Sequence, residues 1–204
     1  MPYFSERDIE IPELLKFADE HSNKINTILD VGCYGSQYLD QLKQKNKIID
    51  GIDLAFGKKE KEFLRNYFVG NILDKELEMY DLAICLSTLE HSGIEQYQVK
   101  DYKAEQVRVF KKIIDIADHF IFLTVPYGAE ALVPGFYANM TKARLAVLLG
   151  FLDNFNISLE FYFQDKTQPN SIWILIDQDK ADLISFDPKK AVQCVCILKA
   201  IKKL

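Results

Sequence analysis

Two aspartates and two glycines near the start of the chain are the residues whose types and spacing most directly predict chemistry. Asp30 ends an apolar run and is followed by Gly32 and Gly35, and Asp53 ends a second apolar run further along. Glycine lets the backbone turn sharply and lets a ligand approach closely. A carboxylate at the end of the second strand can accept hydrogen bonds from both hydroxyls of a ribose. The pattern therefore predicts a nucleotide-binding α/β unit in preference to a tight turn without a ligand.

Glu90 and His91 form a second candidate pair, directly after the apolar segment 82–86. Histidine has an unperturbed pKa of about 6.5, which suits a general base that takes a proton from a hydroxyl at neutral pH. The pair is explained equally well as a cap or brace after a strand, so both interpretations stay open. No metal-ligating set is predicted, because the spacing of Glu90, His91 and Asp101 is not diagnostic of one.

Arg7 and Glu10 are three residues apart, so they share one face of a predicted N-terminal helix. We interpret them as a surface ion pair. The alternative is that Arg7 reaches over the ligand site and binds an acidic group of a substrate.

An alternation of strands and helices is expected to position these candidate residues. The helical spacing of apolar residues predicts helices at 9–21, 37–45, 101–117 and 141–154, the last with Thr141 as its N-cap. Apolar runs predict strands at 27–31, 47–54, 66–69, 82–86, 120–125, 157–164, 172–177 and 191–201, with the strand at 120–125 stopped by Pro126. This order indicates an α/β fold with a Rossmann-like, doubly wound, mostly parallel sheet and antiparallel C-terminal strands. The strand at 191–201 is also a candidate for pairing with a second subunit at a sheet edge.

The chain of 204 residues is expected to form one domain. Residues 1–26 form its N-terminal helical cap, 27–128 its cofactor-binding core, and 129–204 its C-terminal helix and edge strands. The net charge of −5 argues against a nucleic-acid partner. No apolar stretch is long enough to span a membrane, and no signal peptide is evident, so a cytoplasmic location is expected. The cysteines are then expected to be buried thiols: Cys33, Cys85, Cys194 and Cys196.

Five segments in chain order resemble the motifs of class I S-adenosylmethionine-dependent methyltransferases. Residues 28–33, Ile-Leu-Asp-Val-Gly-Cys, resemble the first motif, which in the family usually continues Gly-Thr-Gly where this chain has Tyr34, Gly35 and Ser36. The other four segments are 51–54, 70–72, 80–91 and 124–128. The likeness spans residues 28–163. The absence of a Gly-x-Gly-x-x-Gly spacing disfavours the rival hypothesis of a dinucleotide-dependent oxidoreductase.

The resemblance implies methyl transfer from S-adenosylmethionine, with S-adenosylhomocysteine as product, to oxygen or nitrogen of a small-molecule acceptor. It implies that backbone near Gly32 and the segment at Leu86 and Ser87 meet the methionyl part. Asp53 would hold the ribose, and Asn71 with Ile72 the adenine. The implied cofactor-binding residues are Asp30, Gly32, Cys33, Tyr34, Gly35, Asp53, Leu54, Asn71, Ile72, Leu86 and Ser87. The implied catalytic residues are His91, Glu90 and Tyr127, of which His91 and Tyr127 would face the acceptor.

A narrower similarity is to small bacterial methyltransferase-like proteins associated with surface-polysaccharide or sugar modification. It is carried by Arg7-x-x-Glu10-x-Pro12, Gly-Cys-x-Gly-Ser, Ser-Thr-Leu-Glu-His-Ser-Gly and Thr-Val-Pro-Tyr-Gly. This similarity implies a carbohydrate or nucleotide-sugar acceptor. The oligomeric state stays open between monomer and homodimer. The altered glycine segment also keeps open the hypothesis of a cofactor-binding partner or regulatory module that transfers no methyl group.

Overall fold

The computed structural model describes residues 5–94, 101–133, 137–165, 171–185 and 193–203, which are arranged around an eight-stranded sheet. The strands in chain order are β1 (Thr27–Val31), β2 (Ile48–Asp53), β3 (Tyr67–Val69), β4 (Tyr80–Leu86), β5 (Ala117–Pro126), β6 (Leu132–Val133), β7 (Tyr137–Ala138), β8 (Phe155–Phe163), β9 (Ile174–Ile176) and β10 (Cys194–Lys202). The helices are α1 (Arg7–Glu20), α2 (Leu39–Gln44), α3 (Tyr102–Ile116), α4 (Lys142–Leu149) and α5 (Gln178–Asp182). Strands β6 and β7 form a separate antiparallel pair.

The strand order in the large sheet is β3-β2-β1-β4-β5-β10-β8-β9. Pairing is parallel from β3 to β5, and antiparallel where β10 meets β5 and β8 and where β9 meets β8. The predicted fold class, a mostly parallel sheet with antiparallel C-terminal strands, is confirmed.

The expectation that strand 191–201 lies at a sheet edge is wrong. Strand β10 pairs with β5 along one side and with β8 along the other, so its backbone groups are already used within the chain. It therefore has no free edge through which to pair with a second subunit. Positions 191 and 192 of the predicted strand lie outside the described residues, and the edge strand on this side is β9.

Helices cover both faces of the sheet because the central strands are apolar on both faces. In β4, Leu82 and Ile84 belong to the core under α1 and α2, whereas Ala83 and Cys85 belong to the core under α3 and α4. This is the burial pattern expected of a parallel strand inside a doubly wound sheet. All four cysteines are free and buried, as predicted.

The ends of the elements follow from local chemistry. Thr141 caps α4 as predicted, since its hydroxyl accepts a hydrogen bond from the Arg144 amide at 3.3 Å. The helix ends at Leu149, earlier than predicted, with Gly150 as its C-cap. Strand β5 runs through Pro126, whose carbonyl accepts from the Met140 amide at 2.8 Å. A proline lacks the N–H donor but keeps the acceptor, so it can end a strand from within. Among the described residues, no helix is long and apolar enough to cross a membrane.

Candidate functional site

The strand order reverses between β1 and β4, because β2 and β3 lie on one side of β1 while β4 and β5 lie on the other. In open α/β sheets, ligands bind at such a switch point, outside the carboxyl ends of the strands. The segments that leave these two ends are residues 32–36 after β1 and residues 87–91 after β4. The first and fourth sequence motifs therefore meet at one end of the sheet.

The two glycines of the first segment have different surroundings, although both have positive φ angles, +84° at Gly32 and +80° at Gly35. A methyl group on Gly32 would lie only 2.7 Å from Cβ of Thr88 and closer still to its Oγ1 and Cγ2. A methyl group on Gly35 would meet no atom within 4 Å. Gly32 therefore packs the β1 turn closely against the β4 turn, whereas Gly35 borders open space.

Asp53, the predicted ribose ligand, is half-buried at the end of β2. Its Oδ2 accepts a hydrogen bond from the Tyr34 amide at 3.1 Å, and its Oδ1 accepts from the Ala55 amide at 2.9 Å. Each carboxylate oxygen can accept more than one hydrogen bond, so the group retains capacity for two ligand hydroxyls. The side chains of Tyr34, Leu54 and Phe56 are exposed nearby in sequence. The Asp53 carboxylate can therefore accept hydrogen bonds from ribose hydroxyls, and exposed apolar side chains lie near it in sequence.

Asp30 is buried at the end of β1, where its carboxylate accepts hydrogen bonds from Tyr38 Oη at 2.6 Å and Ser36 Oγ at 2.7 Å. Burial raises the pKa of Asp30 to about 6, although the two hydroxyl donors oppose that shift. The Asp30 side chain therefore holds the glycine segment in place through Ser36 and Tyr38. Both of its carboxylate oxygens already accept hydrogen bonds from this chain.

The raised pKa of Asp30 predicts a pH dependence of stability. The folded chain takes up a proton at Asp30 near pH 6, and the unfolded chain does so only near its ordinary pKa of 3.8. The folded state thus binds more protons in this window, and the contribution of Asp30 to stability falls by about 3 kcal/mol as the pH rises from about 4 to about 6. Chemical denaturation at several pH values should show Asp30→Asn gaining stability relative to the parent chain over this window. Parallel curves for the two proteins would contradict the assignment.

Glu10 of α1 is fully buried above the carboxyl ends of β4 and β5, so the interpretation of Arg7 and Glu10 as a surface ion pair is wrong. Arg7 Nη1 lies 2.7 Å from Glu10 Oε2, and the hydroxyls of Ser87 and Thr124 each donate to Glu10 Oε1 at 2.6 Å. Burial raises the pKa of Glu10, while Arg7 and both hydroxyls act in the opposite direction. The spacing predicted the ion pair, but only the packing of α1 on the sheet places it at the site.

Ser87, predicted to contact the methionyl part, has a φ of +41°, which is unusual for a residue other than glycine. Its amide donates to the Thr124 carbonyl at 3.1 Å and to Thr124 Oγ1 at 3.0 Å, and its hydroxyl donates to Glu10. Strained backbone of this kind persists only where surrounding contacts hold it. Glu10 and Thr124 supply those contacts, so α1 and β5 together set the shape of the turn after β4.

Glu90 and His91 lie in the short 3₁₀ turn Leu89–His91 that follows. The Glu90 side chain is buried, whereas the His91 side chain is 39 % exposed, with its Nε2 3.7 Å from Glu90 Oε1. Burial raises the pKa of Glu90 well above its usual range. The two residues are brought to the same end of the sheet as Asp30, Asp53 and Gly35, as predicted.

Tyr127 is placed differently from the other predicted catalytic residues. It is buried against Phe161, and its hydroxyl donates to Asp182 Oδ1 at 2.6 Å. Burial and this carboxylate raise the pKa of the phenol above its ordinary value. Tyr127 therefore ties β5 to α5, which contradicts its predicted position facing an acceptor.

Several predicted cofactor ligands have side chains that pack into the protein. Cys33, Leu86 and Ile72 are buried in the two cores, so only their backbone groups are available at the segment ends. Cys33 packs against Gly51, where an added methyl group would lie 2.7 Å from the sulfur. Asn71 is half-buried, and its Oδ1 accepts from the Leu73 amide at 3.0 Å. Asn71 therefore shapes the turn after β3 and retains a free lone pair on the same oxygen.

Sequence reasoning missed Thr88, Thr124 and Glu60 as site residues. Thr88 fills the space beside Gly32, Thr124 holds Glu10 and Ser87, and Glu60 Oε1 accepts from the Gly35 amide at 3.1 Å. Thr88 and Thr124 stood inside the fourth and fifth motifs, so their position at or just beyond the carboxyl end of a strand was the available signal. No sequence pattern marked Glu60.

Solved structures share this fold. A S-adenosylmethionine-dependent methyltransferase from Archaeoglobus fulgidus superposes with a TM-score of 0.61 at 15 % identity, over 96 % of this chain and 95 % of that one. The magnesium protoporphyrin IX methyltransferase of Synechocystis, with bound S-adenosylhomocysteine, gives 0.60 at 16 % identity over 100 % and 89 % of the two chains. The N-methyltransferase NodS from Bradyrhizobium japonicum, also with S-adenosylhomocysteine, gives 0.59 at 12 % over 97 % and 87 %.

The chain thus has the fold of class I S-adenosylmethionine-dependent methyltransferases. No protein-family model and no curated protein matches its sequence.

Proposed function

We propose that the chain is a S-adenosylmethionine-dependent methyltransferase that acts on oxygen or nitrogen of a small molecule. The observation that carries the proposal is the arrangement at the switch point, where the half-buried Asp53 carboxylate lies beside a glycine turn with open space at Gly35. A ribose needs the first feature, and a closely approaching ligand needs the second. A carbohydrate or nucleotide-sugar acceptor is proposed from the sequence resemblance.

The residues have distinct roles in this proposal. Asp53 accepts hydrogen bonds from the ribose, the backbone around Gly35 lies along the methionyl part, and Asn71 meets the adenine. The cofactor supplies a methyl group already activated on a sulfonium, so the protein mainly has to orient the acceptor. In this proposal His91 takes a proton from an acceptor hydroxyl, a role supported by the exposure of its ring.

Calorimetric titration with S-adenosylhomocysteine tests the proposal. We expect binding by the parent chain, no binding of NADH, and an affinity about 10- to 100-fold lower for Asp53→Ala, the range expected from losing hydrogen bonds to a charged group. Asp153→Ala, which removes an exposed carboxylate after α4, is the matched control and should bind like the parent. Equal affinity in Asp53→Ala, or binding of NADH alone, would contradict the proposal.

A second candidate is a cofactor-binding module that transfers no methyl group. The observation in its favour is that carboxylates of the chain already engage the amides of the glycine segment, Asp53 at Tyr34 and Glu60 at Gly35. Radiolabelled S-adenosylmethionine offered with sugars and sugar nucleotides separates the two candidates. Incorporation of label establishes a methyltransferase, and cofactor binding without incorporation favours the binding module.

A further inference from the structure

The carboxyl group of Glu90 has an unused hydrogen-bonding oxygen. Glu90 is 2 % exposed, and its Oε2 has no hydrogen-bond partner among the described parts of the chain. Leaving a buried polar atom unpaired is costly, and more so for a carboxylate. Such an atom in a folded protein needs an explanation, and a catalytic role or a bound water or ion is among the usual ones.

The surroundings of Glu90 indicate the charge of that ligand. The strongest effects of charged groups on Glu90 come from Glu10, Arg7 and Glu6, all on α1 or just before it, and the His91 ring lies 3.7 Å from Glu90 Oε1. Glu10 already accepts from Arg7, Ser87 and Thr124, so both of its oxygens are engaged. Arg7 is hydrogen-bonded to Glu10, and a positively charged donor beside Glu90 would stabilise the ionised form of this second buried carboxyl group. Glu90 is the carboxyl group with the capacity to accept from it.

We propose that Glu90 is the binding residue for an aliphatic ammonium group carried by the methyl acceptor, so that the acceptor is an amine-bearing molecule. An ammonium nitrogen has no lone pair, so the methyl group goes to another oxygen or nitrogen of that molecule. This inference rests on the proposed function, because that function makes the end of β4 an active site. A nitrogen-borne N–H donates to Glu90 Oε2 in a charge-assisted hydrogen bond. His91 Nε2 lies 3.7 Å from the other oxygen of Glu90, and the His91 ring reaches the surface.

The proposed cofactor also carries an amino group, on its methionyl part, so the test must distinguish the two sources. Binding of n-butylammonium and of the uncharged butan-1-ol is measured by NMR titration, with and without saturating S-adenosylhomocysteine. S-adenosylhomocysteine and 5′-methylthioadenosine, which lacks the amino acid part, are titrated separately. The proteins are the parent chain, Glu90→Gln, and the control Glu105→Gln, which removes another buried carboxylate whose partner is Arg108 at 2.8 Å.

We expect the parent chain and Glu105→Gln to prefer butylammonium by about tenfold, the effect of one hydrogen bond to a charged group, and Glu90→Gln to lose this preference. Affinity for S-adenosylhomocysteine should then be the same in all three proteins. Glutamine keeps the shape of the side chain and removes a buried ionisable group, so Glu90→Gln should melt no lower than the parent chain.

Two results would overturn the assignment. If Glu90→Gln weakens S-adenosylhomocysteine about tenfold and leaves 5′-methylthioadenosine unchanged, the amino group belongs to the cofactor and the amine acceptor is rejected. If neither the ammonium preference nor the cofactor affinity changes in Glu90→Gln, no amino group binds there. If the parent chain does not bind S-adenosylhomocysteine, the proposed function is contradicted. The Glu90 proposal is tested separately, by the titration of the cofactor-free protein with butylammonium and butan-1-ol.

Discussion

Replacing Gly32 with alanine is expected to lower the free energy of unfolding by about 3 kcal/mol, the sum of two costs. The left-handed φ of +84° costs an L-residue about 1–2 kcal/mol, and the added methyl group overlaps the side chain of Thr88. The overlap includes Cβ of Thr88, so rotation of that side chain cannot relieve it. Urea denaturation at neutral pH measures the effect.

Gly35→Ala is the matched control for this prediction. Gly35 has nearly the same φ, +80°, but its methyl group would enter open space, so about 1–2 kcal/mol is expected from backbone conformation alone. Adding Thr88→Gly to Gly32→Ala should restore part of the lost stability, because it removes the overlapping atoms. If Gly32→Ala and Gly35→Ala lower the free energy of unfolding equally, contact between the β1 and β4 turns does not restrict the side chain at position 32.

Glu10→Ala is expected to cost about 4 kcal/mol, a large part of the stability of a typical domain. The change removes the partner of Arg7 and leaves the buried hydroxyl of Thr124 and the half-buried hydroxyl of Ser87 without their acceptor. Arg7 is a third exposed, so water replaces part of its lost interaction and the main cost falls on the hydroxyls. Denaturation measures the total loss, and hydrogen exchange of the α1 amides reports whether the helix detaches from the sheet.

Glu20→Ala, an exposed position at the end of the same helix, should change stability by no more than about 0.5 kcal/mol. A double-mutant cycle of Arg7→Ala and Glu10→Ala isolates the pair from the hydroxyl contacts. Unchanged exchange of the α1 amides in Glu10→Ala would contradict the conclusion that Glu10 fastens α1 to the carboxyl ends of the strands.

The local elements were largely predictable from the sequence. Strand β1 occupies the predicted residues 27–31, and the predicted β4 lacks only its first two residues. These strands are apolar on both faces and are bounded by turn residues, so their pattern admits few alternatives. Helix boundaries were less accurate: the predicted helix at 141–154 ends at Leu149, because its cap geometry depends on contacts that propensity does not encode.

The candidate site was predictable where it depends on the ends of parallel strands. Asp30, Gly35, Asp53 and Glu90 all come together because parallel strands present their carboxyl ends at one edge of the sheet. Tyr127 also follows a strand, yet its ring turns into the core and its hydroxyl binds Asp182. Position after a strand therefore places the backbone near the site, but the direction of the side chain depends on what packs against it.

The sequence by itself determined the alternation of strands and helices, the order of the motifs, and the end of the sheet at which the candidate site lies. These follow from periodicity and from the geometry of parallel strands, both of which are local in the chain. Only the tertiary structure decided that β10 lies inside the sheet, that Glu10 is buried on Ser87 and Thr124, and that Glu90 keeps an unpaired oxygen. Burial and pairing between residues distant in sequence depend on the whole packed chain, since no local pattern records which side chains will meet.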